Sequence, residues 1–225
     1  MDRFIVILGI VILCIIGLIR KLLYIKDLDT RQKFVVEYNN KFVDLINKKF
    51  KGTFDQINYT WLMQNVHKMH YELGEIGYVD YIDRLKGIKV THHPLLVNFL
   101  SEVQQEEDMT NSIIAMRISD SAKTCSDMFI RHTGDLNEWK EQTEKEKFNP
   151  FSLFAEGFRY IIQLPVNCLH WLGLLSFDTA SKIKSNILIR IIEKIGLLFT
   201  CLATVITIII GWKEFIEIIT NLFSK

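Results

Sequence analysis

The sequence predicts an all-α membrane protein in which an N-terminal and a C-terminal transmembrane helix flank a helical-bundle domain. Three observations carry that expectation. The longest apolar runs stand at the two ends of the 225 residues. The stretch between them repeats its apolar residues at three- and four-residue spacing, the period of a one-faced helix. The cations beside both runs cluster on the side facing the middle of the chain.

The first run, Phe4 to Ile19, is sixteen residues without a charge. As a helix it covers about 24 Å at ~1.5 Å per residue, a little short of the ~30 Å hydrocarbon core. Leu22, Leu23, Tyr24 and Ile25 extend its apolar surface while Arg20 and Lys21 reach for the interface. Asp2 cancels Arg3, and no small-x-small cleavage site follows, so residues 1–26 read as an uncleaved signal anchor.

The second run, Ile195 to Trp212, is eighteen uncharged residues. It forms the core of a predicted span over 188–212, bounded by Lys194 and by Trp212 as interface residues. Arg20, Lys21 and Lys26 follow the first run, and Lys182, Lys184, Arg190 and Lys194 precede the second. By the positive-inside rule, both spans place the central stretch in the cytoplasm of an inner (plasma) membrane and both termini outside. The tail, 213–225, gathers Phe215, Ile216, Ile219, Leu222 and Phe223 on one helical face with Trp212, an interfacial amphipathic pattern. Thr200, Thr204 and Thr207 could line one face of the preceding span.

Residues 151–187 contain a further uncharged stretch, Tyr160–Phe177. Gln163, Pro165, Asn167 and His170 are each unfavourable at the bilayer centre. A kinked helix at the interface or beneath the domain fits this composition, with Trp171 an interface residue. A third span is the alternative, and it would move the cations between Lys182 and Lys194 outside.

Residues 27–150 read as a cytoplasmic helical bundle. Asp29 or Thr30 can cap a helix carrying Val35, Tyr38, Phe42, Leu45 and Lys49, closed by Gly52. Phe54, Ile57, Trp61, Leu62, Val66, Met69, Leu73 and Ile76 make a second stripe, with the Trp61 indole expected in the core. Thr91 and Pro94 mark the start of a third helix with Leu95, Leu96, Phe99, Leu100 and Val103. A fourth is expected from about Thr110 to His132, ending near Gly134, then a shorter polar helix closed by Pro150. No window suggests strand alternation.

Between the second and third helices, "GEIGYVDYIDRLKGIKVTHH" is long for a helix–helix connection. Tyr78, Asp80, Tyr81, Asp83 and Arg84 mix aromatic area with charge, a composition suited to contact with a protein partner. The alternative is a short irregular helix packing Tyr78 and Tyr81 onto the bundle.

Chemistry-bearing patterns are weak. His67 and His70 stand three apart on one helix without further donors, so a hydrated pair is expected rather than a metal site. His92 and His93 adjoin Pro94. No phosphate-cradling glycine motif and no GxSxG elbow occurs. Cys14, Cys125, Cys168 and Cys201 have no metal or redox spacing. With a net charge of +1 and no basic stripe, nucleic acid is not an expected partner. No cofactor and no catalytic residue is assigned.

The plan of a short anchor followed by long helices resembles bacterial LemA-type proteins over the first fifty or so residues; the C-terminal span departs from it. It also resembles the small membrane proteins of bacterial anti-phage systems. Both likenesses are of architecture, carried by no motif. The residues themselves point to a non-enzymatic interaction or sensing module at the bilayer, binding a protein partner or itself. The alternative is a membrane-perturbing effector acting through oligomerised spans, and a helical hydrolase using the histidines is a third.

Overall fold

A computed structural model describes residues 2–83, 88–106 and 112–176, with isolated positions 179, 182, 183, 186, 191, 194–196 and 198. It is mostly helical. The elements are α1 (Asp2–Phe50), α2 (Gln56–Leu73), a 3₁₀ turn (Gly74–Gly77), β1 (Tyr78–Asp83), β2 (Ile88–Pro94), α3 (Leu95–Gln105), α4 (Ser112–Glu146) and α5 (Pro150–Trp171). The predicted second span and the amphipathic tail, with Trp212, Phe215 and Ile219, lie almost wholly outside the described residues.

The chain divides into two compact units, Met1–Leu23 with Lys145–Lys225, and Tyr24–Glu144. The second is the helical domain. Its core gathers Leu28, Val35, Tyr38, Phe42 and Leu45 from α1 with Leu62, Val66 and Met69 from α2. Leu96, Phe99 and Leu100 from α3, and Ile118, Cys125, Phe129 and Leu136 from α4, complete it. Phe42 and Phe129 meet edge to face with ring centres 5.4 Å apart, the arrangement their quadrupoles favour. The buried Tyr38 hydroxyl donates to the Leu62 carbonyl at 3.1 Å, so its burial leaves no polar atom unpaired. Burial also pushes the Cys125 thiol up to about 12, which makes it an inert packing group. Trp61, expected inside, lies at the edge of this core, between Tyr38 at 5.8 Å and the Lys41 ammonium at 5.1 Å.

Several expectations are corrected. Asp29 and Thr30 cap nothing, because α1 runs through them. The Thr30 hydroxyl bonds back to the Lys26 carbonyl at 3.0 Å, and Asp29 accepts from Lys140 Nζ at 2.6 Å. Gly134 does not end α4, since a glycine facing open space weakens a helix without breaking it. The polar segment expected as a separate helix is the continuation of α4. Pro150 opens a helix rather than closing one: it occupies the first turn of α5, where its missing N–H costs nothing, and the Asn149 side chain accepts from Phe151 N at 3.1 Å. The largest difference is the antiparallel hairpin β1–β2 in a domain expected to be all helix. Its register shifts between Val79 and Tyr81, a bulge that breaks the period-two pattern by which strands are recognised. Thr91 therefore lies in β2, and α3 starts only at Leu95.

In the other unit α1 and α5 cross antiparallel. A methyl group built on Gly17 would collide with the Leu153 carbonyl, and one built on Gly157 with the Leu13 carbonyl. Only two glycines allow the backbones this approach. Pro165 lies inside α5, which continues through it to Trp171. Among the described residues, α1 is the one helix long and apolar enough to cross a membrane.

Candidate functional site

The hairpin is where the helical domain concentrates aromatic and titratable side chains. α2 ends at Leu73, and Gly74, with a φ of 51°, turns the chain towards β1. This brings His70, one turn before the helix end, beneath Tyr78 with ring centres 4.8 Å apart. Tyr78 in turn stacks face to face on His92 of β2, at 3.6 Å and 9°. His92 has a φ of 56°, in the left-handed region that side chains other than glycine and asparagine seldom enter. Asp80 on β1 holds it there, its carboxylate accepting the His92 backbone N–H at 2.8 Å. Tyr81 leans on His93 at 5.4 Å, and His93 Nε2 lies 3.3 Å from the Asn98 amide.

His70 is the electrostatically unusual group. Its Nδ1 is buried without a hydrogen-bond partner, 3.1 Å from where a side chain on Gly77 would begin. Burial, then the neighbouring His67 and His92, pull its pKa below the usual histidine value. The expectation of a hydrated His67–His70 pair holds for exposed His67 and fails for His70, which Tyr78 covers. Among the described residues, no three His, Cys, Asp or Glu side chains are placed to hold a metal ion.

Three of the five expected partner-contact residues have described side chains. Tyr78 belongs to the base of the hairpin, against α2, whereas Asp80 and Tyr81 are exposed on the strand. Asp83 ends β1, but its side chain and the whole of Arg84 lie outside the described residues.

The expected interface residues also separate. The Arg20 guanidinium sits 5.1 Å from the Tyr160 ring centre. Lys21, expected to reach outward, is instead enclosed, with 8% of its side chain exposed. Its ammonium donates to Glu146 Oε2 at 2.9 Å, Ser152 Oγ at 2.7 Å and the Glu146 carbonyl at 3.4 Å, which satisfies all three of its protons. Lys21, then Ser152, hold the Glu146 carboxyl below the usual range. Trp171 ends α5 almost fully exposed, and Lys194 is exposed.

One constellation was absent from the sequence reading. Glu72, one residue before the end of α2, accepts both from Arg31 Nε at 2.9 Å and from the ring of His132, 3.5 Å away. Glu72 and His132 are nearly enclosed, so this is a polar network within the bundle. Its members stand 41 and 60 positions apart, and no local spacing could announce them.

Compared with protein-family models, with curated proteins and with solved structures, the chain matches none.

Proposed function

We propose that the protein is a non-enzymatic interaction or sensing module anchored in a membrane, with its helical domain on the cytoplasmic side. The carrying observation is that a single helix, α1, supplies both the apolar segment suited to a bilayer and the residues Leu28 to Ile46 of the domain core. Continuity of the anchor with a core element supports its reading as a retained segment rather than a cleaved signal peptide. The exposed strand residues Asp80 and Tyr81 then offer the contact to a protein partner or a second copy, backed by the stacked Tyr78 and His92. Aromatic area beside a charge is the composition on which such contacts depend.

Replacing Tyr81 with a photo-crosslinking phenylalanine analogue in native membranes tests this reading. The expected result is one discrete adduct, lost when Asp80 is also changed to Ala, with membrane insertion intact. A reporter active only in the cytoplasm, inserted at Glu107, should be active. An inactive reporter at that position would overturn the orientation, and dye leakage on simple expression would favour a membrane-perturbing effector instead.

A further inference from the structure

We infer that α5 enters the bilayer beside α1 as a second membrane-embedded helix, its outer face contacting lipid acyl chains. The inference rests on the reading of α1 as the anchor. Its first support is the crossing. Gly17 abuts Leu153 and Gly157 abuts Leu13, backbone against backbone. Leu13 and Gly17 lie within the uncharged run Phe4–Ile19, so a bilayer that takes up this run also takes up Leu153–Gly157. Small residues at such a crossing are what helices use to pair where water exerts no hydrophobic force between them.

The second support is the distribution of polarity. Around this crossing the enclosed residues are Gly17, Lys21, Leu153, Phe154 and Gly157, while Leu8, Val11, Ile12, Ile15 and Ile19 of α1 face outward. On α5, Ile161, Leu164 and Leu169 are likewise exposed and continue that apolar surface. A water-facing pair would not carry so continuous a row of apolar side chains on the outer face of α1.

The third support is that the two formally charged side chains of α5 can be accommodated. Glu156 and Arg159 pair at 3.2 Å on one turn. Helical side chains lean towards the helix N-terminus, which for α5 is the end where Lys21 meets Glu146. Tyr160 displays this lean, since its ring reaches Arg20. Arg159 can snorkel in the same direction. At ~1.5 Å per residue, the 22 residues of α5 extend about 33 Å, a length that matches the ~30 Å core although α5 is less apolar than the apolar segment of α1.

The test uses the unmodified full chain in phosphatidylcholine–phosphatidylglycerol vesicles doped with a phospholipid carrying a diazirine in its acyl chain. After photolysis, adducts are mapped by mass spectrometry. Adducts are expected on both 8–19 and 151–169, with none on α4 residues 119–131. Adducts on 8–19 alone would overturn the inference and leave the anchor reading standing. Adducts on neither would overturn both. A spin label at Leu164, in a chain with its four cysteines replaced, gives an independent reading. It should collide with oxygen severalfold more than with a water-soluble nickel chelate, as a label at Ile12 should, and a label at Thr124 should do the reverse. A water-like Leu164 beside a lipid-like Ile12 would again overturn the inference.

Discussion

The two units of this chain solve opposite packing problems with the same secondary structure. Between Tyr24 and Glu144, phenylalanines, leucines and methionines are inside, and carboxylates and ammonium groups are largely outside. Around the α1–α5 crossing, Ile12, Ile15 and Ile19 face outward, while Gly17 and Gly157 bring the backbones together beside the enclosed Leu153, Phe154 and Lys21. In water, burying apolar area drives assembly at about 25 cal/mol per Å². In hydrocarbon that drive vanishes, and close backbone packing with fully paired polar groups must replace it. An exposed isoleucine therefore carries different information in each unit.

Lysine substitution sharpens this most strongly. Ile12→Lys with Ile15→Lys should oppose insertion by about 5–7 kcal/mol, from the cost of two lysines near the bilayer centre. Carbonate extraction of membranes should then release the protein. Ile57 and Ile113 of the helical domain are more exposed, at 84% and 78% against 47% and 51% for Ile12 and Ile15. Their replacement by Lys should change stability by no more than about 0.5 kcal/mol. Release by both pairs, or by neither, would erase the distinction between the units.

The next effect belongs to the domain core. Phe42→Ala removes the ring that meets both Phe99 and Phe129, and should cost about 3–5 kcal/mol in chemical denaturation. Trp61→Ala should cost less, because that indole lies at the edge of the core. Equal losses would place the centre of the core elsewhere.

Much of this domain could be read from spacing alone. Val35, Tyr38, Phe42 and Leu45 recur as one helical face, and all four are buried. Which face they meet could not be read, because Phe129 lies on α4, far along the chain. Lys21 shows the same limit. Beside an apolar run it reads as a lysine reaching for the interface, yet its partner Glu146 lies 125 residues away. The hairpin was hidden for a local reason, since its bulge offsets Tyr81 from the alternation. The candidate partner residues were found as a composition; of those described, Tyr78 lies at the base of the hairpin, and Asp80 and Tyr81 lie on its exposed strand.

A smaller effect tests whether polar groups in the helical domain are as tightly paired as Lys21 is in the other unit. Glu72→Gln keeps the shape but removes the charge that Arg31 and His132 share. The loss should be about 1.5–3 kcal/mol, the range for hydrogen bonds to charged groups. Arg31 is partly exposed and can recover some hydration, which favours the lower end. An unchanged midpoint would mean that the network contributes only to geometry.

The smallest expected effect is at the hairpin, where one titratable ring is half-buried at the edge of the helical domain. His70 has its pKa held below 6.5 by burial and by His67 and His92. The folded hairpin therefore binds fewer protons than the unfolded chain between that lowered value and 6.5. Its contribution to stability is complete above 6.5, and it falls as acidification first protonates the unfolded form and then the folded one. Protonation would also place a charge beneath Tyr78, beside two further histidines. Amide exchange across β1 and β2 should accordingly reveal more frequent opening on the acid side of 6.5 than above it, after correction for the intrinsic pH dependence of exchange. The control is His70→Gln, which keeps a polar side chain of similar reach without titrating. In that variant the acid-induced opening should shrink, while the exchange of core amides near Phe42 keeps its wild-type pH profile. An undiminished response in His70→Gln would separate the acid sensitivity from His70 and leave that ring as packing for Tyr78.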